Sequence, residues 1–374
     1  MCRDMLKRPI FIGSEIYRGS SYGAHHPLRV PRVSTVMDLS RALGWLPAAQ
    51  FVASPRARPL ALQQFHTPDY ISALARAEAR QSVSDADRAR YHLGTPSNPV
   101  FAQMFRRPAT SAGGVILAGE LLAKGGAVYV PGGGTHHGMP DRANGFCYLN
   151  DPVLAIKSLQ HHGAPRVLYV DVDAHHPDGV EVAFSGDTAV RMISVHEQGR
   201  WPRTGALDER AGGSAFNLPV PQELNDSEMA VILDEMILPL AEDFAPDAVV
   251  LQCGADALDE DPQSRLSLSN GALWSVVAAL RAIAPRYLVL GGGGYNPWSV
   301  GRCWTGVWGL LNECSMPEVF PAGAQEVLRK LQFEGNSRGR NPPNHWFDTL
   351  RDMPRAGLIR DEIRARIDLL RARI

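Results

Sequence analysis

Four short runs of this chain are apolar nearly throughout: AVYV (127–130), RVLYV (166–170), AVVLQC (248–253) and YLVL (287–290). A strand with one wet face alternates polar and apolar residues. A run without that alternation is buried on both faces, as in a parallel sheet covered by helices. PIFIG (9–13) and VRMISV (190–195) read as two more strands. Between the strands lie stretches with helical signals, at 34–45, 66–80, 109–123, 150–163, 227–243 and 270–283. Thr67 and Pro68 suit a helix start, and Asn150 or Asp151 with Pro152 suits another, stopped by Gly163. Pro239 is expected to bend the 227–243 helix. Residues 81–99 are polar and contain proline, so a surface loop is expected there. No repeat or composition break divides the chain. The expected fold class is α/β, a three-layer sandwich around a mostly parallel central sheet. It forms a single domain over 1–374, with a C-terminal amphipathic helix at 358–374 whose apolar residues are Leu358, Ile359, Ile363, Ile367, Leu369 and Leu370.

In such sheets ligands bind beyond the carboxyl ends of the strands. Each of the four runs delivers chemistry there: PGGGTHHGMP (131–140), DVDAHHPDG (171–179), GADALDEDP (254–262) and GGGGYNPW (291–298). Unpaired charge at a buried edge costs desolvation energy, so something must compensate it. The rest of the composition narrows the class. A net charge of −1 gives no bulk field for nucleic acid or an anionic membrane. Five scattered cysteines (Cys2, Cys147, Cys253, Cys303 and Cys314) without a CxxC suit a reducing compartment. The first residues carry no signal-peptide core, and no run is long enough to span a membrane. A cytoplasmic enzyme is expected.

Asp173, His175 and Asp256 form a plausible metal set of one histidine and two carboxylates. Asp173 and His175 lie two apart on an extended segment, so both can face one way. Three protein ligands leave positions open for water and substrate. Mixed nitrogen and oxygen donors suit Zn²⁺, Fe²⁺, Co²⁺ or Mn²⁺. His136 and His137 follow a glycine-rich turn and can divide proton transfer and charge stabilisation. Asp171 and Asp178 can fix their tautomers. Tyr295, after four glycines, can donate a hydrogen bond to an oxyanion. GGGGYN lacks the lysine and hydroxyl residue of a phosphate loop, and no G-x-S-x-G elbow supports serine chemistry. His161-His162 and His176 receive no role. The parts describe metal-assisted hydrolysis of an amide.

These segments, with QFHTPDYISAL and GTPSNPVF, resemble the metal-dependent histone deacetylase family, in its bacterial acetoin-utilisation branch. The resemblance covers about residues 10–350. It implies the arginase–deacetylase fold, with Zn²⁺ on Asp173, His175 and Asp256 (Fe²⁺ or Co²⁺ being alternatives). It implies His136 and His137 as the catalytic pair, backed by Asp171 and Asp178, with Tyr295 as oxyanion donor. Structural K⁺ would fall on Asp171, Asp173, His175, Ser194 and Val195. Gly145, Phe146, Trp201 and Gly293 would line an acyl-lysine channel, with Gln263 at its rim. Trp201 stands where the family usually has phenylalanine.

The sequence departs from the family pattern in two places. Pro96 and Ser97 replace the aspartate that usually grips a peptide backbone, and Pro177 stands where glycine is common. The leading expectation is therefore a deacylase of protein lysines, with a small-molecule amidohydrolase, such as an acetylpolyamine deacetylase, as its rival. A ureohydrolase is weaker, because GADALDED supplies one well-placed aspartate instead of a DxD pair. A non-catalytic scaffold conflicts with an intact set of site residues.

Overall fold

The computed structural model describes residues 8–333 and 342–373. Cys2, with residues 1–7 of the N-terminal stretch read for a signal peptide, and Ile374 lie outside the described residues. Eight strands form one sheet: β1 (Ile10–Gly13), β2 (Phe51–Ala53), β3 (Gly126–Val130), β4 (Val167–Asp171), β5 (Val190–Glu197), β6 (Ala215–Val220), β7 (Ala248–Gln252) and β8 (Arg286–Leu290). Their order is β2-β1-β3-β8-β7-β4-β5-β6, and every pairing is parallel. The four runs that carry the candidate chemistry are β3, β8, β7 and β4, four adjacent strands at the centre of the sheet. Their carboxyl ends therefore meet at one edge.

The absence of alternation follows from the layers. Along β4, Leu168 and Val170 pack into one core, while Val167 and Tyr169 pack into the other. Both faces are dry, so both sets are apolar. Burying one such side chain contributes about 1.5–3 kcal/mol. Helices Arg106–Leu121 and Asp151–His161 cover one face; Val33–Ala42, Asn270–Leu280 and Pro297–Leu311 cover the other.

Several local expectations need correction. The 81–99 stretch contains a helix, Asp85–Tyr91, capped by Ser84, whose hydroxyl accepts from Asp87 N–H. Thr67 stands at the cap of Pro68–Arg80 without a side-chain cap bond. Asn150, not Asp151, caps the helix it precedes, accepting from Val153 N–H at 3.1 Å. In the 227–243 segment, a π-helical turn over Leu233–Ile237 leads into helix Leu238–Phe244, which carries Pro239 in its first turn. β2 and β6 form the sheet's two edges; β6 contains Pro219, tolerable where no further strand needs its N–H. The C-terminal helix runs over Asp361–Arg371 and buries Ile363, Ile367 and Leu370, while Leu358 and Leu369 stay exposed. No helix among the described residues is long and apolar enough to cross a membrane.

Candidate active site

The loop after β4 places Asp173 and His175 against Asp256, which follows β7. His175 Nδ1 lies 2.9 Å from Asp256 Oδ2 and 3.1 Å from Asp173 Oδ1. One ligand atom from each residue lies within 4.8 Å of the others, and both aspartates are buried. Asp173 Oδ2 also accepts from Gly293 N–H at 2.6 Å, and Asp256 Oδ1 from Ala174 N–H at 3.0 Å. A side chain at Gly293 would overlap Asp256, so the glycine run lets backbone close over the cluster. Burial pushes the His175 imidazole down, but Asp173 and Asp256 outweigh it and hold the group up, to about 10. Two buried carboxylates around one imidazole form a site short of positive charge. Its oxygen and nitrogen donors fit a divalent cation.

His136 and His137 leave the end of β3 on the glycine-rich turn. His136 Nδ1 is 2.7 Å from Asp171 Oδ2, and His137 Nδ1 is 2.7 Å from Asp178 Oδ1. Their rings lie 4.0 Å apart. Burial lowers His136, but Asp171 and Asp173 overcome it and raise the group to about 9. Burial and the neighbouring His136 lower His137 to about 4, against the pull of Asp178. Tyr295 is buried with its ring 6.0 Å from that of Phe146. Burial, with Asp256 and Asp173 nearby, holds its phenol well above the ordinary range, so it keeps its proton as a donor.

These groups surround a cavity of about 50 Å³, lined among others by Gly145, Phe146, Gly293 and Tyr295. Trp201, expected to line the channel, does not line this cavity; it is 44% exposed, with its ring 4.6 Å from that of His137. Gly145 has φ +53°, and a Cβ there would run into the Trp201 ring. Gln263, expected at the rim, does not line this cavity, and its backbone N–H donates to Asp261 Oδ1 at 2.8 Å. Of the residues named for potassium, Asp171 and Ser194 are partners in the β4–β5 register. Ser194 Oγ lies 2.8 Å from His196 Nδ1. Pro177 is the residue before helix Asp178–Phe184, and its carbonyl accepts from Val180 and Glu181. His176 is buried between Thr204 and Glu181, outside the site. Pro96 and Ser97 are exposed.

This constellation and its sheet have solved counterparts. The structure superposes on that of a histone deacetylase homologue from Aquifex aeolicus with a TM-score of 0.93, at 34% identity, covering 98% of this chain and 100% of the other. The same match holds for a histone deacetylase homologue complexed with SAHA. The histone deacetylase domain family matches residues 26–311. The chain belongs to the histone deacetylase family. Acetoin utilization protein AcuC of Bacillus subtilis is 33% identical over 317 residues, covering 81% of this chain and 82% of that protein. Histone deacetylase 9 of Arabidopsis thaliana is 37% identical over 314 residues, 81% of this chain and 73% of the relative. The chain is a deacetylase of the bacterial acetoin-utilisation branch.

Several residues of this deacetylase's site were not singled out from sequence. Asn150 donates through Nδ2 to the carbonyls of His136 and Gly138, at 3.1 and 3.0 Å. Asp151 accepts from Gly134 and Thr135 N–H and from the hydroxyls of Ser111 and Thr135. Together they pin the glycine-rich turn. Asp261 holds Tyr295 through its backbone N–H at 2.6 Å. Gln252 lies 2.7 Å from His136 Nδ1. Asn150 and Asp151 were visible only as a helix start, and Asp261 only as one acid in an acidic loop.

Proposed function

We propose that this deacetylase removes acetyl or other acyl groups from lysine side chains of proteins, with Zn²⁺ held by Asp173, His175 and Asp256. The observation that carries the reading is the convergence of two histidine–aspartate pairs and a buried phenol on that three-ligand cluster. Bound there, the ion would polarise the amide carbonyl and acidify water. His137, next to the channel residues Gly145 and Trp201, takes a proton from water and returns one to the leaving lysine nitrogen. His136, deeper and flanked by Asp171 and Asp173, carries positive charge that steadies the developing oxyanion. Tyr295 donates its phenolic hydrogen to the same oxygen. Asp171 and Asp178 fix which imidazole nitrogen carries the proton. Fe²⁺ or Co²⁺ suits the same donors. K⁺ on Asp171, Asp173, His175, Ser194 and Val195 would brace the loop that carries two of the ligands. We read residues 1–374 as one catalytic unit acting in the cytoplasm, without nucleic-acid or membrane partners.

A second reading is favoured by the exposed Pro96 and Ser97, which offer no carboxylate to a peptide backbone. It makes the substrate a small amide such as an acetylpolyamine. The test compares kcat/KM on an acetyl-lysine peptide and on N-acetylputrescine, with Zn²⁺, Fe²⁺ or Co²⁺ supplied in turn. The peptide is expected to win. Faster cleavage of the small amide by orders of magnitude would replace the first reading with the second.

A further inference from the structure

Arg200 and Arg203 close a turn with Trp201 and Pro202 at its tip; the Arg203 N–H donates to the Arg200 carbonyl at 2.7 Å. One arginine thus precedes and one follows the Trp201 ring, which packs on His137. Glu197 ties a third arginine to them. It is 3% exposed, and its Oε1 and Oε2 accept from the Arg200 guanidinium at 2.6 and 2.8 Å. Oε2 also accepts from Arg265 N–H at 2.7 Å. Glu197 therefore offsets Arg200 and leaves Arg203 and Arg265 over. Both are exposed, and neither side chain has a hydrogen bond or ion pair among the described residues. Acids of the neighbouring loops are engaged elsewhere: Asp259 and Glu260 with Arg355, Glu209 with Gly205 N–H, and Asp208 beside Arg373.

Arg203 also has φ +67°, an angle that suits glycine. Gln81, His92 and Ala245 take such angles as helix caps, where the left-handed region is ordinary. Arg203 caps no helix, and its side chain gives the fold no bond in return. Strain of that kind gathers at ligand clamps. Phe146, on the cavity lining, carries it too. We propose that Arg203 and Arg265 form a cationic surface beside Trp201 that recognises a carboxylate side chain within two residues of the acylated lysine. The proposal rests on the deacylase reading above and names its substrate class, acyl-lysines in acidic sequence. A lysine whose acyl group reaches His137 carries its chain neighbours past Trp201. Each residue of an extended chain advances about 3.3–3.6 Å, so the nearest few come within reach of these guanidinium groups. The same charges would repel a polycationic amide.

The experiment compares acetyl-lysine peptides on the metal-loaded enzyme, with aspartate, asparagine or lysine placed both two residues before and two residues after the acetyl-lysine. At low ionic strength the aspartate peptide is expected to exceed its asparagine isostere in kcat/KM by about fivefold, the upper end for exposed ion pairs, mostly through KM. The lysine peptide should fall below both. The ratio should drop toward one in about 1 M salt, where charges are screened beyond about 3 Å. Arg203→Gly removes the charge and suits the backbone angle, so it should fold. It should cut the ratio to about two or less and leave turnover of the asparagine peptide unchanged. Arg203→Lys should retain most of the ratio. A ratio near one at low salt, with both peptides cleaved, would overturn this inference and leave the proposed function intact. If no peptide is cleaved, the proposed function fails, and fluorescence anisotropy of the labelled peptides decides for the surface. Equal binding of the aspartate and asparagine peptides overturns it; tighter, salt-sensitive binding of the aspartate peptide that Arg203→Gly weakens upholds it.

Discussion

His136 and His137 are the same residue type, one position apart, each 2.7 Å from an aspartate oxygen. The rest of each ring meets different surroundings. His136 points inward: Nε2 is 3.9 Å from Asp173 Oδ1, and Asp171 sits fully buried at the end of β4. His137 packs against the ring of the exposed Trp201. The outcome is opposite proton affinity, raised to about 9 in one and lowered to about 4 in the other. An environment that separates two such groups assigns them different parts in proton transfer. Identity and spacing made the pair visible; depth in the sheet edge decides what each does.

The sharpest way to break this contrast is to remove each ring. His137→Ala should lower kcat by about 10³-fold, within the range for a general acid–base group. His136→Ala should cost about ten times less, because His137 and Asp178 remain beside the leaving group. Equal losses, measured by steady-state kinetics on an acetyl-lysine peptide, would erase the division of labour. Tyr295→Phe removes one oxyanion donor and should lower kcat by about 10²-fold with little change in KM. Near-normal turnover would remove the phenol from the mechanism.

The same contrast explains what the sequence made legible. β3, β4, β7 and β8 were visible because two dry faces demand uninterrupted apolar runs. The residues that follow those strands were visible because charge at a buried edge must be compensated. Helix Pro297–Leu311 went unseen for a related reason: buried nearly all round, it has no polar face to produce a 3.6-residue period. The edge strands gave little signal of either kind: β2 has three residues, and β6 is broken in composition by Asn217 and Pro219. Arg32 meets Gly292, and Arg107 meets Ser20, across long sequence separations. Only the folded sheet brings these partners together, so their place in the cavity leaves no local pattern.

The two aspartates offer a smaller test. Asp171 is fully buried and accepts from Tyr169, Asp173 N–H and His136, whereas Asp178 is partly reached by solvent. Asp171→Asn sets an amide group against one of those donors and should cost about 1–3 kcal/mol of stability. Asp178→Asn should lower turnover by about tenfold while changing stability less. Urea unfolding beside kinetics separates the two, and a larger stability loss at Asp178 would reverse the ranking of depth.

A third buried histidine sharpens the comparison, because it has no carboxylate at all. His66 Nε2 accepts from Asn150 N–H at 2.9 Å, and Nδ1 lies 3.0 Å from the Met139 carbonyl. Burial lowers it to about 4, against modest help from the Met139 carbonyl. Protonating Nε2 would break its bond to Asn150, the residue that holds the carbonyls of His136 and Gly138. Between pH 4 and the ordinary histidine value near 6.5, the unfolded chain therefore binds more protons than the folded one. This contribution to stability is fully present above about pH 6.5 and declines as the pH falls toward 4. From pH 7 to pH 5 the loss should be about 2 kcal/mol. His66→Gln can supply an acceptor to Asn150 and a donor to Met139 without titrating. Its unfolding free energy should lose about 2 kcal/mol less than the parent's over that interval. Parallel pH slopes would mean that burial alone does not keep this imidazole neutral, and that the aspartates are not what sets His136 apart.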